Sequence, residues 1–393
     1  MSAPRPQAAP APQPPPPPGA GKRPEIFVQL DKFWLRVTEG LELNQLWKQF
    51  SVDARASYRL YQRDISARAP SEGWRKDFPH TVQEFAWAIL EKLTPARRVL
   101  LLLGVLLLIF PVSTFTYHGE VVELELHFFG GLALFILLML EIADRVVMKR
   151  DLEIARDIQK WLLPATPPQI PGLQIAFATR PANTVAGDFY DVFPRPVAGS
   201  IQPHFLLAVA DVAGKSMPAA LLMATFQASL RTLSSVPCSL PELAAGMNRY
   251  ASTNSQEGRR FTTAFLAEYD AGSRALTYIN AGHNAPILRR GTGAIERLDK
   301  GGLPLGIEPR AVYESDTVSL QPGDWLVIFT DGLVEAVNAR GLEYDESRLL
   351  NVLQSGVAAT PEQLLQRIMT DLDAFVADTP QHDDITCLLL KMA

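Results

Sequence analysis

The stretch Phe205-Leu-Leu-Ala-Val-Ala-Asp-Val-Ala-Gly-Lys-Ser-Met-Pro218 decides the fold, because it joins an apolar strand to a helix through an acidic turn. Residues 205–212 form an apolar run of strand length, and residues 218–233, rich in Ala, Leu and Met, predict a helix. Asp211 stands near the end of this strand. The stretch therefore predicts a strand that delivers a carboxylate to the edge of a sheet.

Three further acidic turns follow the same plan. They are Val185-Ala-Gly-Asp188-Phe-Tyr-Asp191, Val327-Ile-Phe-Thr-Asp331-Gly332 and His382-Asp383-Asp384-Ile-Thr386. Asp and Gly are common in ordinary surface turns, but four such turns beside apolar strands favour a shared site. Mg²⁺ and Mn²⁺ take oxygen ligands, and two such ions can bridge and activate one water. The pattern predicts a site for a pair of divalent cations.

Composition excludes several other classes of protein. The 393 residues carry a net charge of −5 and no long basic run, so nothing indicates nucleic-acid binding. The two cysteines, Cys238 and Cys387, exclude a disulfide framework and a cysteine-based zinc site. Neither is followed by the arginine that a cysteine phosphatase needs six residues on; Ala244 has that place after Cys238.

The N-terminal part carries no recognisable chemistry. Residues 1–24 are mostly Pro, Ala and Gln, which predicts a disordered tail, and they lack the apolar stretch of a signal peptide. Residues 25–95 are polar and rich in aromatic residues, which predicts a small, mostly helical region without an assignable role.

Two apolar runs, residues 99–115 and 126–140, predict a transmembrane helical hairpin within residues 96–143. The runs have 17 and 15 residues, or about 26 and 23 Å as helices, near the lower limit for a hydrocarbon core of about 30 Å. Lys and Arg flank the pair on its outer sides, whereas the connection carries only acidic charges. The positive-inside rule then places both termini in the cytoplasm, at the inner membrane. A buried hairpin of a soluble domain is the alternative.

Residues 144–163 predict a helix that leaves the membrane. Met148, Leu152, Ala155, Gln159 and Leu162 recur at spacings of four and three, which is a short heptad seam. The seam favours a homodimer through residues 148–162, and packing against the chain's own catalytic domain is the alternative. The helix is predicted to end at the following proline, Pro164.

Residues 164–393 predict an α+β domain. Short apolar strands alternate with turns, and residues 262–269 and 275–280 flank a turn typical of a hairpin. Strands in blocks with helices between them favour a sandwich over a doubly wound sheet. The Gly-Lys-Ser at residues 214–216 resembles the end of a P-loop. That loop needs a glycine where Val209 stands, so a nucleotide hydrolase is not indicated.

In residues 154–391 the chain resembles the SpoIIE/RsbU branch of the metal-dependent PPM protein phosphatases. The resemblance rests on the acidic turns and on the motifs Ala155-Arg-Asp-Ile-Gln-Lys-Trp-Leu-Leu-Pro164, Asp211-Val-Ala-Gly-Lys-Ser-Met-Pro-Ala-Ala-Leu-Leu-Met-Ala224, Tyr278-Ile-Asn-Ala-Gly-His-Asn-Ala-Pro286, Gly302-Leu-Pro-Leu-Gly306 and Thr330-Asp-Gly-Leu-Val-Glu-Ala336. Ser216 stands where the family usually has glycine. His283 is read as a hydrogen-bonded corner rather than a ligand.

The resemblance implies a PPM-type two-layer β-sandwich flanked by helices, with two Mn²⁺ or Mg²⁺ ions at one end. Asp211 would bridge the ions beside the carbonyl of Val212. Asp331 and Asp383 would complete the first ion, and Asp188 would hold the second. Whether Asp383 or Asp384 is the ligand stays open, although the family pattern favours Asp383. No side-chain nucleophile is implied, because a water bridging the ions attacks directly.

The predicted function is that of a membrane-anchored protein serine/threonine phosphatase. The resemblance implies a phosphoserine or phosphothreonine on a signalling partner as substrate, with an anti-sigma-factor antagonist of the STAS type expected. A catalytically inactive phosphatase-like membrane adaptor is the alternative, and the presence of all the expected acids argues against it.

Overall fold

The computed structural model describes residues 90, 92–110, 112–117, 120–197, 199, 204–214, 217–254, 260–355 and 359–393. The predicted tail, residues 1–24, and nearly all of the predicted helical region, residues 25–95, lie outside these ranges. The chain divides into two compact units, residues 1–140 and 141–393.

In the first unit, helix α1 (Pro95–Ile109) is followed by strands β1 (Val112–Tyr117) and β2 (Glu120–Glu125), which pair as an antiparallel hairpin. Helix α2 (Leu126–Leu162) begins directly after β2. The first apolar helix is therefore shorter than predicted, because residues 112–115 lie in a strand. The β-branched and aromatic sequence of β1 explains this difference.

Helix α2 runs for 37 residues without interruption. The boundary predicted between a membrane helix and a signalling helix, at residues 143–144, falls inside it. Among the described residues, α2 alone is long and apolar enough to cross a membrane, with a mean hydropathy of 2.1 over its 18-residue apolar window. A two-helix membrane hairpin is not confirmed, since α1 has only 15 residues.

The second unit consists of short strands and six helices within the described ranges. The strands are β3 (Leu173–Arg180), β4 (Asp188–Arg195), β5 (His204–Val212), β6 (Thr262–Asp270), β7 (Ala275–Ala281), β8 (Ile287–Arg289), β9 (Ile295–Arg297), β10 (Gly301–Gly302), β11 (Asp316–Ser319), β12 (Trp325–Phe329) and β13 (Ile385–Met392). Besides the end of α2, the helices are α3 (Met217–Leu233), α4 (Leu240–Thr253), α5 (Asp331–Val334), α6 (Glu346–Gln354) and α7 (Pro361–Val376).

The strands form two sheets. One has the order β10-β7-β6-β5-β4, with β11 also paired to β7, and the other has the order β3-β13-β12-β8-β9. Their pairs are antiparallel apart from β10 with β7. The predicted hairpin is the β6–β7 pair, in which Asp270 lies opposite Ala275.

The core has layers on both faces of each sheet. Along β5, Leu207 and Val209 face the other sheet, whereas the intervening Leu206, Ala208 and Ala210 pack against α3 and α4. This alternation follows from the two-residue period of a strand. The second sheet packs in the same way against α6 and α7. The predicted α+β sandwich with flanking helices is confirmed.

Candidate active site

Asp188 and Asp211 meet at one edge of the first sheet. Asp188 opens β4, and Asp211 lies near the end of the antiparallel neighbour β5, so the register places the two residues opposite each other. Asp188 is buried and Asp211 is half-buried. Strand pairing therefore brings together two carboxylates that are 23 residues apart in sequence.

The environment of Asp188 disfavours its charged form. Burial raises the pKa of this carboxyl well above its usual value, and the nearby charge of Asp211 raises the pKa further. Hydrogen bonds from Thr386 and Thr330 act in the opposite direction. The Thr330 hydroxyl donates to Asp188 Oδ2 at 2.9 Å. A cation placed between the two aspartates would offset both the cost of burying a charge and the repulsion between the two carboxylates.

Asp331 and Asp383 come from the second sheet. Asp331 begins α5 just after β12, and Asp383 precedes β13, the antiparallel neighbour of β12. The turns lie against each other, because a Cβ at Gly332 would overlap the carbonyl oxygen of Asp384 and come within 3.2 Å of Asp383 Cβ. The Asp-Gly sequence is thus required by close approach of the two turns, and Thr330 links them to Asp188.

Asp383 and Asp384 have different surroundings. Asp384 is buried, and its carboxylate accepts hydrogen bonds from the backbone amides of Ala182 at 2.7 Å and Gly187 at 2.6 Å. Burial nevertheless raises the pKa of Asp384. Asp383 is half-buried, and its Oδ1 accepts from the Asp384 amide at 3.0 Å. Asp384 therefore holds the segment before β4, whereas Asp383 is the more accessible of the two carboxylates.

The predicted acids lie at the same end of the sandwich, but they are not gathered into a closed cluster. In the described part of the chain, no three His, Cys, Asp or Glu side chains stand close enough together to hold a metal ion. Val212, whose carbonyl was predicted to contribute, has that oxygen 3.0 Å from where a Cβ at Gly187 would lie. The donor set at this end is made of oxygens, which suits a hard divalent cation.

No role at the site was predicted for Thr330 or Thr386, and Gln159 was assigned to the heptad seam. Thr330 and Thr386 contact Asp188, and Gln159 contacts the connection just before it. The Thr386 amide donates to Thr330 Oγ1 at 2.9 Å, and the Thr330 hydroxyl in turn donates to Asp188. The amide group of Gln159 is hydrogen-bonded to the backbone of Ala186. A signal was present, since these three residues lie in the quoted motifs.

His283 occupies a buried corner. Its backbone amide donates to Asn280 Oδ1 at 2.7 Å, and its Nδ1 lies 3.1 Å from Thr263 Oγ1. Burial lowers the pKa of His283 to about 4, so the ring is neutral at pH 7. Thr263 is the register partner of Asp211 on β6. His283 thus supports the strand behind the site, while the predicted departure at Ser216 lies outside the described residues.

A cavity of about 310 Å³ adjoins Asp383 and Gly332. Its wall includes the ion pair between Arg180 and Asp373, whose nearest atoms are 2.6 Å apart. Apolar side chains of α7, among them Leu372, contribute another part of the wall. The cavity therefore lies at the acidic end of the sandwich.

Comparison with known proteins identifies relatives of this domain. Residues 202–393 match the family Stage II sporulation protein E (SpoIIE). Protein IcfG of Synechocystis sp. is 27% identical over 268 residues, which cover 62% of this chain and 41% of that protein. Phosphoserine phosphatase RsbU of Bacillus subtilis is 27% identical over 245 residues, covering 62% of this chain and 70% of that protein. The chain thus spans less than half of the length of IcfG.

A solved structure shows the same fold. The SiaA-PP2C domain of Pseudomonas aeruginosa aligns with a TM-score of 0.54 at 22% identity, covering 64% of this chain and 99% of that domain. The family match and the relative RsbU confirm the predicted resemblance to SpoIIE/RsbU-type protein serine/threonine phosphatases.

Proposed function

We propose, from the SpoIIE/RsbU-type relationship of residues 202–393, that this protein is a membrane-anchored, metal-dependent protein serine/threonine phosphatase. The observation that carries the proposal is the pairing of Asp188 with Asp211 at the sheet edge, joined through Thr330 to the turn of Asp331. These acids stand at one end of a sandwich of the PP2C fold. An inactive adaptor would have no need for buried, mutually repelling carboxylates.

Two Mn²⁺ or Mg²⁺ ions are the proposed cofactors. Asp211, the Val212 carbonyl, Asp331, Asp383 and Asp188 would hold these ions. When bound, such a pair supplies a nucleophilic water at neutral pH and neutralises charge on the phosphate. Asp383 is favoured over Asp384 as the ligand, because both oxygens of Asp384 already accept backbone hydrogen bonds.

The chain's own residues would prepare this site before any cation arrives. Thr330 donates to one oxygen of Asp188 and so fixes this carboxylate, whose residue lies opposite Asp211 in the sheet register. Burial of Asp188 excludes water from that side of the carboxylate. Asp211 and Asp383 are half-buried and therefore partly accessible, so a phosphate could reach them from solvent.

The test is phosphomonoester hydrolysis by the full-length protein in detergent. We expect activity with added Mn²⁺ or Mg²⁺, none in excess chelator, and a loss of about 100-fold or more in Asp211→Asn. Removal of a bridging ligand should act on turnover and leave the fold intact, which circular dichroism would check. Full activity in chelator, or an unimpaired and folded Asp211→Asn protein, would refute the proposal.

The proposed substrate is a phosphoserine or phosphothreonine on a folded signalling protein, with a STAS-type anti-sigma-factor antagonist as the expected partner. The relative RsbU is a phosphoserine phosphatase, and this supports the proposed substrate class. The half-buried acids beside an accessible cavity suit a phosphate presented on a protein surface. Equal kcat/KM values for free phosphoserine and for a phosphorylated STAS protein would exclude this partner class.

We also propose membrane anchoring by a two-pass hairpin with both termini cytoplasmic, and the contact between α1 and α2 supports the pairing of the two helices. Gly104 of α1 and Gly130 of α2 are both buried, and a Cβ at Gly130 would lie 2.9 Å from the Gly104 carbonyl oxygen. The surrounding Leu102, Leu106 and Phe135 are exposed. Close helix approach at glycines with apolar residues outside is typical of packing in lipid.

A further inference from the structure

The side chain of Gln159 is buried, although it belongs to a largely exposed stretch of α2. Only 7% of Gln159 is accessible, whereas Trp161 is 82% accessible and Ile158 is 48% accessible. Gln159 Nε2 donates to the Ala186 carbonyl at 2.7 Å, and the Ala186 amide donates to Gln159 Oε1 at 3.0 Å. One amide group thus satisfies both backbone groups of a single residue, which also fixes the orientation of that amide.

Ala186 lies in the connection between β3 and β4, residues 181–187. This connection is not a strand, so side chains satisfy its backbone groups: Asp384 accepts from Ala182 and Gly187, and Gln159 binds Ala186. A buried amide left without an acceptor is destabilising, because it has lost its hydrogen bonds to water. The connection is therefore held by Asp384 and by the helix that precedes the sandwich.

The position of this connection sets the position of two predicted ligands. Asp188 follows Gly187 directly and opens β4. A Cβ at Gly187 would lie 3.0 Å from the Val212 carbonyl oxygen and 3.3 Å from Ala219 Cβ, so the backbone here is pressed against the start of α3. A displacement of Ala186 would move Asp188 relative to β5 and Asp211.

We infer that Gln159 is a positioning residue for the acidic site: by binding both backbone groups of Ala186, it fixes residues 181–187 and through them Asp188. The contact with Ala186, rather than docking of the end of α2 in general, holds the connection. The end of α2 makes a separate contact with the domain, because Gln227 Nε2 of α3 donates to the Leu162 carbonyl. The expected effect on metal binding rests on the proposed function, whereas the effect on the backbone does not.

Hydrogen exchange of the metal-free, full-length protein in detergent tests the backbone part. Gln159→Met keeps the length of the side chain and removes both hydrogen bonds, and Gln159→Glu keeps the acceptor for the Ala186 amide. We expect exchange at Ala186 to accelerate about tenfold or more in Gln159→Met and only a few-fold in Gln159→Glu. Gln227→Met, which loosens the end of α2 without touching Ala186, is the matched control and should leave this exchange within about twofold.

Isothermal titration with Mn²⁺ tests the consequence for the site. We expect the Kd for Mn²⁺ to rise about tenfold in Gln159→Met and less in Gln159→Glu, while exchange in β5 stays unchanged and shows that each variant is folded. If Gln159→Met unfolds, Gln159→Glu replaces it in the comparison. Its exchange rate at Ala186 and its Kd for Mn²⁺ should then exceed those of wild type and of Gln227→Met.

The outcomes separate the two proposals. Wild-type protein that binds no Mn²⁺ contradicts the proposed function, and the exchange result then still decides the role of Gln159. Wild-type-like exchange and Mn²⁺ affinity in Gln159→Met overturn the inference. Equal losses in Gln159→Met and Gln227→Met overturn it as well, because docking of the helix in general, rather than the contact with Ala186, would then hold the connection.

Discussion

The Thr330 hydroxyl donates a hydrogen bond to Asp188 Oδ2 at 2.9 Å, and this bond joins the two sheets at the acidic end of the sandwich. Thr330 follows β12 in the second sheet, and Asp188 opens β4 in the first. The Thr386 amide holds the same hydroxyl oxygen from β13. The hydroxyl thus donates to the carboxylate and accepts from the amide, which fixes its direction. The relative position of the four predicted acids depends on this contact between sheets.

The adjacent acids Asp383 and Asp384 should respond oppositely to substitution. Asp384→Asn places an NH₂ group against one of two backbone donors, so we expect the metal-free protein to lose about 1–3 kcal/mol of stability. That loss corresponds to about 2–4 °C in Tm for each kcal/mol. Asp383→Asn should leave the Tm nearly unchanged and weaken Mn²⁺ binding about tenfold or more. Thermal melting in chelator and calorimetry with Mn²⁺ measure the two effects, and the reverse pattern would make Asp384 the ligand.

The stability of the metal-free protein should depend on pH through Asp188. Its pKa is higher in the folded protein than the usual value of about 3.9 in an unfolded chain. Between these two values the folded state binds more protons, so this carboxyl lowers the free energy of unfolding as pH rises. Asp188→Asn should therefore raise the Tm at pH 7 by about 2–4 °C or more, and the gain should shrink towards pH 4.

Melting curves in chelator across this pH range measure the effect. The exposed Asp378→Asn serves as the control and should show no such gain. The Tm gain of Asp188→Asn over wild type should be larger at pH 7 than at pH 4. A smaller gain at pH 7 would contradict the assigned direction of the pKa shift.

The topology of the anchor has a direct test. Reporters fused at both termini and within residues 117–125 should place the termini in the cytoplasm and the connection outside, because Lys and Arg flank the apolar segments only on their outer sides. A single crossing by α2 would instead put the termini on opposite faces. A cytoplasmic connection would exclude the two-pass arrangement.

Dimerisation through residues 148–162 stays a prediction. The structure reduces the number of seam residues that could form the dimer contact. Gln159 of the seam packs on its own domain, whereas Met148 is 60% accessible and Leu152 is half-buried. Met148→Asp with Leu152→Asp should therefore yield monomers with altered turnover, while a charge change at the exposed Asp157 should not. Mass measurement in detergent and phosphatase rates check this. A double variant with unchanged mass and rate would leave no role for a dimer seam.

The sequence by itself determined the local elements and the acidic turns. A short apolar run predicted β5, and the composition rich in Ala, Leu and Met predicted α3, because both patterns are formed by residues that are close together in sequence. The position of Asp211 near a strand end followed from the same pattern. The helix predicted for residues 99–115 was too long, because an apolar run does not distinguish a helix from a strand such as β1.

Only the tertiary structure decided which groups meet. Asp383 and Asp384 are indistinguishable in sequence, and they separate because the backbone amides of Ala182 and Gly187, some 200 residues earlier, take both oxygens of Asp384. Gln159 fits a heptad seam by its spacing, yet its amide binds Ala186. The packing of sheets and helices decides which groups distant in sequence form hydrogen bonds. A local sequence pattern does not predict that packing.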